Sequence, residues 1–243
     1  MRRTQVMFNG FELSRHFIVS DLRNALLPRT IDTVDVPGRD GSLFTGARLQ
    51  PRSISLKLTV RDKTIAGMQA AARTLAAILA VDEPAPLMMS VDGGLYYMAI
   101  PNGSAEGMRY RNAIVYDVEF VVPDPVAYGI ERTVTVPSGG SVTFEVGGTY
   151  PTMPLVSASA AANGSGGFWR VRLDDDDYLI ATIPNGVSTA PVVADCGART
   201  LKVNGNVALL QPNADWLVFS PGQHTLVMTG SGAATVTYAE RWL

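Results

Sequence analysis

Only one stretch of this chain carries a helical period; nearly everything else alternates in twos between Pro, Gly and Asn punctuation, which restricts the fold to β-sheet with a single helix attached. The helical stretch has Ile65, Met68, Ala72, Leu75 and Leu79 at steps of three and four, with Asp62 or Thr64 placed to cap its start. Asp82-Glu83-Pro84 ends it, because proline cannot continue a helix. Its apolar stripe is expected to pack on the sheet holding the preceding strand, 53–61, where Ile54, Leu56, Leu58 and Val60 line one face.

Around that core the punctuation marks hairpins. Asn9-Gly10 between Val6-Met7-Phe8 and Phe11-Glu12-Leu13 supplies the positive φ angles a two-residue turn demands. Asp92-Gly93-Gly94 separates strands over 87–91 and 95–100, and Ile114, Tyr116, Val118 and Phe120 alternate along another. Two prolines and a glycine then interrupt the pattern in Val122-Pro123-Asp124-Pro125-Val126-Ala127-Tyr128-Gly129, which reads as a domain boundary near residue 129. With 243 residues there is enough chain for two cores, over 1–129 and 130–243.

Beyond the boundary short strands are expected at 132–136, 142–146, 154–158, 168–173, 178–183, 199–203, 216–219, 225–228 and 234–238, the pattern of an all-β sandwich or barrel. The Ala-, Ser- and Gly-rich stretch 158–167 reads as a loop. Pro221-Gly222 reads as a turn between antiparallel strands, and a terminus ending Glu240-Arg241-Trp242-Leu243 is expected to be docked as the closing strand.

The composition excludes several functions. A formal net charge of −2 is no field for binding phosphates. The opening lacks an export signal, since Asn9, Glu12, Arg15 and His16 fall where its apolar core belongs. The longest apolar run, 65–81, is broken by Gln69, Arg73 and Thr74 and cannot span a membrane. The lone Cys196 cannot form an internal disulfide, fits a reducing cytosol and reads as a small buried hydrophobe.

No catalytic constellation stands out either. His16 and His224 fall in different halves, without a partner at metal-ligand spacing. There is no Gly-x-Ser-x-Gly elbow and no phosphate-cradling Gly-Lys-Ser/Thr loop, and nothing nominates a pair of glycosidase carboxylates. Asp174-Asp175-Asp176-Asp177 offers hard oxygens of the kind calcium takes, but the alternating acidic loop with its distal Glu is missing. A solvated turn is the better reading, and no metal or cofactor is assigned. Trp169, Trp216 and Trp242 all sit in the second half; core packing is their ordinary role, with Trp169 and Trp216 the candidate glycan contacts if a ring face is exposed.

Taken in order, Val36-Pro37-Gly38-Arg39-Asp40-Gly41, the strand 52–61, the single helix and 120–129 resemble the distal tail protein family of long, flexible-tailed bacteriophages. So do Arg199-Thr200-Leu201-Lys202-Val203-Asn204-Gly205, Trp216-Leu217-Val218-Phe219-Ser220-Pro221-Gly222 and the closing Glu240-Arg241-Trp242-Leu243. The resemblance implies a mainly β chain: an N-terminal β-rich belt domain with one α-helix that forms a hexameric ring, in one or two copies, and a C-terminal galectin-like β-sandwich. It further implies a non-enzymatic virion protein of a phage or prophage, assembled in the host cytoplasm and placed at the tail tip as a baseplate hub for host adsorption. Its partners would be the tail tube protein, a tail-tip hub or tail-associated protein and receptor-binding proteins, with no nucleic acid, membrane or cofactor. Arg39, Asp40 and Gly41 are the candidate subunit interface, although Gly38 and Gly41 also read simply as shaping a tight turn around Asp40. The rival reading is a carbohydrate-binding β-sandwich that recognises a bacterial surface glycan.

Overall fold

The computed structural model describes residues 4–26, 28–103, 105–161, 167–174, 177–184, 189–230 and 232–243. The chain is mainly β, and its backbone divides into two compact units, Met1–Ala127 with Leu243, and Tyr128–Trp242. No helix among the described residues is long and apolar enough to cross a membrane.

The first unit opens with β1 (Val6–Phe8) and β2 (Phe11–Glu12), turned at Asn9 and Gly10, whose φ angles are 48° and 76°. The expected hairpin is shorter than the sequence indicates, since Leu13 leaves the ladder and starts a one-turn helix, α1 (Leu13–His16). Leu13 is fully buried, so the turn serves to drive that side chain into the core. There follow β3 (Ile18–Asn24), β4 (Arg29–Asp35), β5 (Ser42–Leu49) and β6 (Arg52–Arg61). The helix α2 (Ile65–Leu79) leads to β7 (Ala85–Met89), β8 (Tyr96–Asn102), β9 (Gly107–Arg109) and β10 (Ala113–Val122).

Within this unit the sheet runs β2-β1-β7-β8-β10-β6-β3, with β9 also on β10, while among the described residues β4 and β5 pair only with each other. β6 is the spine. Its alternate residues Ile54, Leu56, Leu58 and Val60 are buried as the period-two pattern requires, and it is laddered to β10 along its full ten residues. Phe8 and Phe120 pack with ring centroids 4.9 Å apart inside this core. Met68 and Leu75 of α2 are buried, and the Thr64 hydroxyl accepts from the Gly67 amide at 3.0 Å. Thr64 is therefore the N-cap, and Asp62 stands behind it, accepting from the Thr64 amide and hydroxyl at 2.7 and 2.8 Å.

The second unit comprises β11 (Ala127–Val136), β12 (Ser141–Val146), β13 (Leu155–Ala161), β14 (Gly167–Leu173) and β15 (Asp177–Ile183). It continues with β16 (Thr189–Asp195), β17 (Thr200–Val203), β18 (Asn206–Ala208), β19 (Gly222–Thr229) and β20 (Ala234–Trp242). One sheet has the order β18-β17-β16-β13-β20-β11 and the other β12-β19-β14-β15. Val156, Val192, Leu201 and Val236 from the first face Trp169, Val171, Leu179 and Leu226 from the second across one core, which makes this unit a β-sandwich.

The fold departs from the sequence expectation at four points. The last strand does not close an edge: β20 lies between β13 and β11. Its end is held by Arg241, whose carbonyl accepts from Thr149 and Tyr150 at 2.9 and 3.1 Å and whose guanidinium donates to Pro151 O at 3.0 Å. The run 216–219 is not a strand; Phe219 makes an isolated bridge to Thr152, which is not in a strand either. β16 and β18, unassigned from sequence, complete the first sheet, and most of the expected 158–167 loop is either strand or, at 162–166, outside the described residues.

Candidate assembly surface

The β4–β5 ribbon is the part of the first unit that the core does not explain. Every residue of β4 is exposed, and so is nearly all of β5. Register places Ile31, Thr33, Phe44 and Ala47 on one face and Asp32, Val34, Leu43 and Arg48 on the other, with a bulge opposite Asp32 and Thr33. Both faces therefore carry large apolar groups: Ile31 and Phe44 are each 62% exposed, and Val34 and Leu43 about half. The ribbon is held by its own polar contacts. The Thr45 hydroxyl donates to Asp32 O at 2.9 Å, the Ser42 hydroxyl to Asp35 at 2.6 Å, and Arg48 lies 3.8 Å from Asp32.

At its tip the chain turns through Val36-Pro37-Gly38-Arg39-Asp40-Gly41, with the Arg39 amide donating to Val36 O and with Gly38 and Gly41 at φ of 82° and 78°. A Cβ at either glycine would meet nothing, so backbone conformation and not space demands glycine there. Arg39, Asp40 and Gly41 are thus brought together, exposed, and the side chains of Arg39 and Asp40 make no hydrogen bond or ion pair among the described residues. The turn residues mark this tip in the sequence, whereas the ribbon beneath it is signalled there only by the β-branched and aromatic runs flanking the turn.

The glycan candidates are separated by burial. Trp169 is 1% exposed and fills the sandwich core, which removes it as a sugar platform: neither ring face is open. Trp216 is half-buried and packs against the same core. The two tryptophans do not form a joint surface.

Reactive groups are equally committed. Both ring nitrogens of His224 face acceptors, Nδ1 the Asp174 carboxylate at 2.9 Å and Nε2 the Ser220 carbonyl at 2.7 Å, so neither is free to take a proton from a substrate. The same Asp174 accepts from the Thr225 amide at 2.8 Å. The His224 bond, then that amide, hold its carboxyl below the usual range. Asp174 follows the last residue of β14 and Asp177 begins β15, as a turn between paired strands requires, and Asp175 and Asp176 lie outside the described residues. Burial pushes the Cys196 thiol up to about 11, far from a nucleophile's range. An open groove of about 550 Å³ contains Asp21, Arg23, Lys57 and Asp117, but these charges answer one another: Asp21 holds Arg23 at 3.0 Å and Lys57 at 3.1 Å.

The first unit is β-rich and bears a bare ribbon, and the sandwich that follows shows no reactive centre among its described residues. Residues 9–122 match the phage tail protein RIFT-related domain, and residues 147–242 match the C-terminal domain of the siphovirus-type tail component. The chain belongs to the siphovirus distal tail protein family. Its fold is similar to that of the Dit protein of phage SPP1, described as a paradigm of the hub adsorption apparatus in Gram-positive infecting phages, with a TM-score of 0.82, 20% identity and full coverage of both chains. It is also similar to a chain of the phage P2 baseplate in its activated conformation with calcium, with a TM-score of 0.55, 9% identity and 98% of each chain covered. No curated protein sequence gives a match.

Proposed function

We propose that this protein is a ring-forming hub at the tail tip, joining the tail tube to the baseplate or host-adsorption apparatus without making or breaking a covalent bond. In this reading residues 1–129 build a ring of six copies, and the galectin-like sandwich of 130–243 faces the tail-tip hub and receptor-binding proteins. Assembly takes place in the host cytoplasm.

The observation that carries the reading is the β4–β5 ribbon, apolar on both faces and paired with nothing else. An isolated two-stranded ribbon is at best marginal in water, so a ribbon of seven and eight residues calls for a cover. Identical subunits supply one: each ribbon lies on the next subunit, and a head-to-tail contact that closes on itself makes a ring. Arg39, Asp40 and Gly41 then meet a neighbour at the ribbon tip.

Light scattering across a concentration series, with negative-stain imaging of the chain alone and mixed with its tail tube protein, tests this. Annular particles of six copies are expected in at least one condition. Monomers throughout would overturn the reading.

A further inference from the structure

A ring of identical subunits needs two different surfaces that fit each other, and the two ends of α2 carry opposite charge. At its start, the end of β6 and the turn joining β9 to β10 meet around an open groove of about 520 Å³ lined by Arg61, Lys63, Arg111 and Tyr110, with Arg109 next to it. All four cations are exposed, and no carboxylate among the described residues pairs with any of them. The one acid there, Asp62, is committed to Thr64. At the other end Asp82 and Glu83 are exposed and likewise unpaired.

This placement does nothing for the helix that carries it. Anions stabilise a helix start and cations its end, yet α2 has no acid in its first turn and no base in its last. Nor do the clusters neutralise each other. The 15 residues of α2 span about 22 Å, more than twice the screening length of about 8 Å at physiological salt. Each cluster calls for a partner outside its own subunit.

Resting on the ring reading above, we infer that the Arg61, Lys63 and Arg111 groove receives Asp82 and Glu83 of a second copy of this chain, setting the direction in which subunits follow one another. Complementary charge of this kind fixes register and speeds encounter, while like charges in the same place block it.

Two double variants test the inference: Arg61→Glu with Arg111→Glu, and Asp82→Lys with Glu83→Lys. Each alone presents like charges at every junction, and its association is expected to weaken at least about tenfold at low salt. Mixed in equal amounts they restore opposite charge at every junction of an alternating ring, so the mixture is expected to assemble. Wild-type assembly is expected to weaken as sodium chloride rises.

If both variants assemble like wild type, or if the mixture fails where each part fails, the inference is overturned while the ring stands. If wild type never assembles, even with the tube protein, both fall. Unchanged assembly, with loss of duplex DNA binding in Arg61→Glu, Arg111→Glu, would reassign the cluster to a polyanion and overturn the inference. Should charge reversal unfold the chain, as read by its melting curve, Arg61→Gln with Arg111→Gln replaces it and is expected to show the same weakened association.

Discussion

At the scale of single residues, the three tryptophans illustrate what a sequence conveys and what it withholds. All sit among alternating runs, which is enough to expect a sheet. Which way a ring points depends on the opposing layer, and that information is spread over distant segments. Trp169 is enclosed by both sheets, whereas Trp216 sits at the margin of the core on a segment that is not a strand. Trp169→Ala is expected to destabilise the chain by about 3–5 kcal/mol in denaturant melts, because it empties a large core site. Trp216→Ala is expected to cost clearly less. A ranking in the opposite sense would show that the core is organised differently. Cys196, in contrast, is buried as its chemistry alone leads one to expect.

Among elements, those with one wet and one dry face are the ones the sequence announces. β6 and α2 fall where the period-two and helical patterns place them, because each turns one side to the core, β6 through Ile54, Leu56, Leu58 and Val60 and α2 through Met68 and Leu75, although Ile65 at the start of the helical stripe is exposed. β16 escapes because Pro191 interrupts it, although the strand tolerates proline there: its carbonyl points to Asn204, just past the Val192–Val203 pair that begins the β17 ladder, so the missing N–H is not one the β13 ladder uses. β4 and β5 escape for the opposite reason: both faces are wet, so there is no contrast to read. Phe44→Ser combined with Ile31→Ser changes two exposed positions and is expected to leave the melting of the isolated subunit nearly unchanged, within about 0.5 kcal/mol. The same pair is expected to abolish or sharply weaken ring assembly by light scattering. Loss of the fold itself would mean that the ribbon is part of the subunit's own core.

Taken as a whole, the molecule has a net charge of −2 that conceals local concentrations of both signs, and a mainly β chain whose described chemistry is spent on holding itself together. The sum over the sequence argues against a broad polyanion surface but says nothing about how the charges are distributed, since clusters such as Arg61 with Arg111 form only when β6 and β10 pair. If subunits associate, their stability is linked to concentration: the apparent melting temperature is expected to rise as the protein is concentrated, and Phe44→Ser with Ile31→Ser is expected to flatten that dependence. Equal melting temperatures over a hundredfold range would argue that the subunits ignore one another.

The unpaired β4–β5 ribbon has one more consequence. Its outer margins expose backbone amides and carbonyls that any passing extended chain can hydrogen-bond. Arg29, Asp32, Asp35 and Arg48, set among the greasy side chains, place charge along those margins, where charge works against fibre-like stacking.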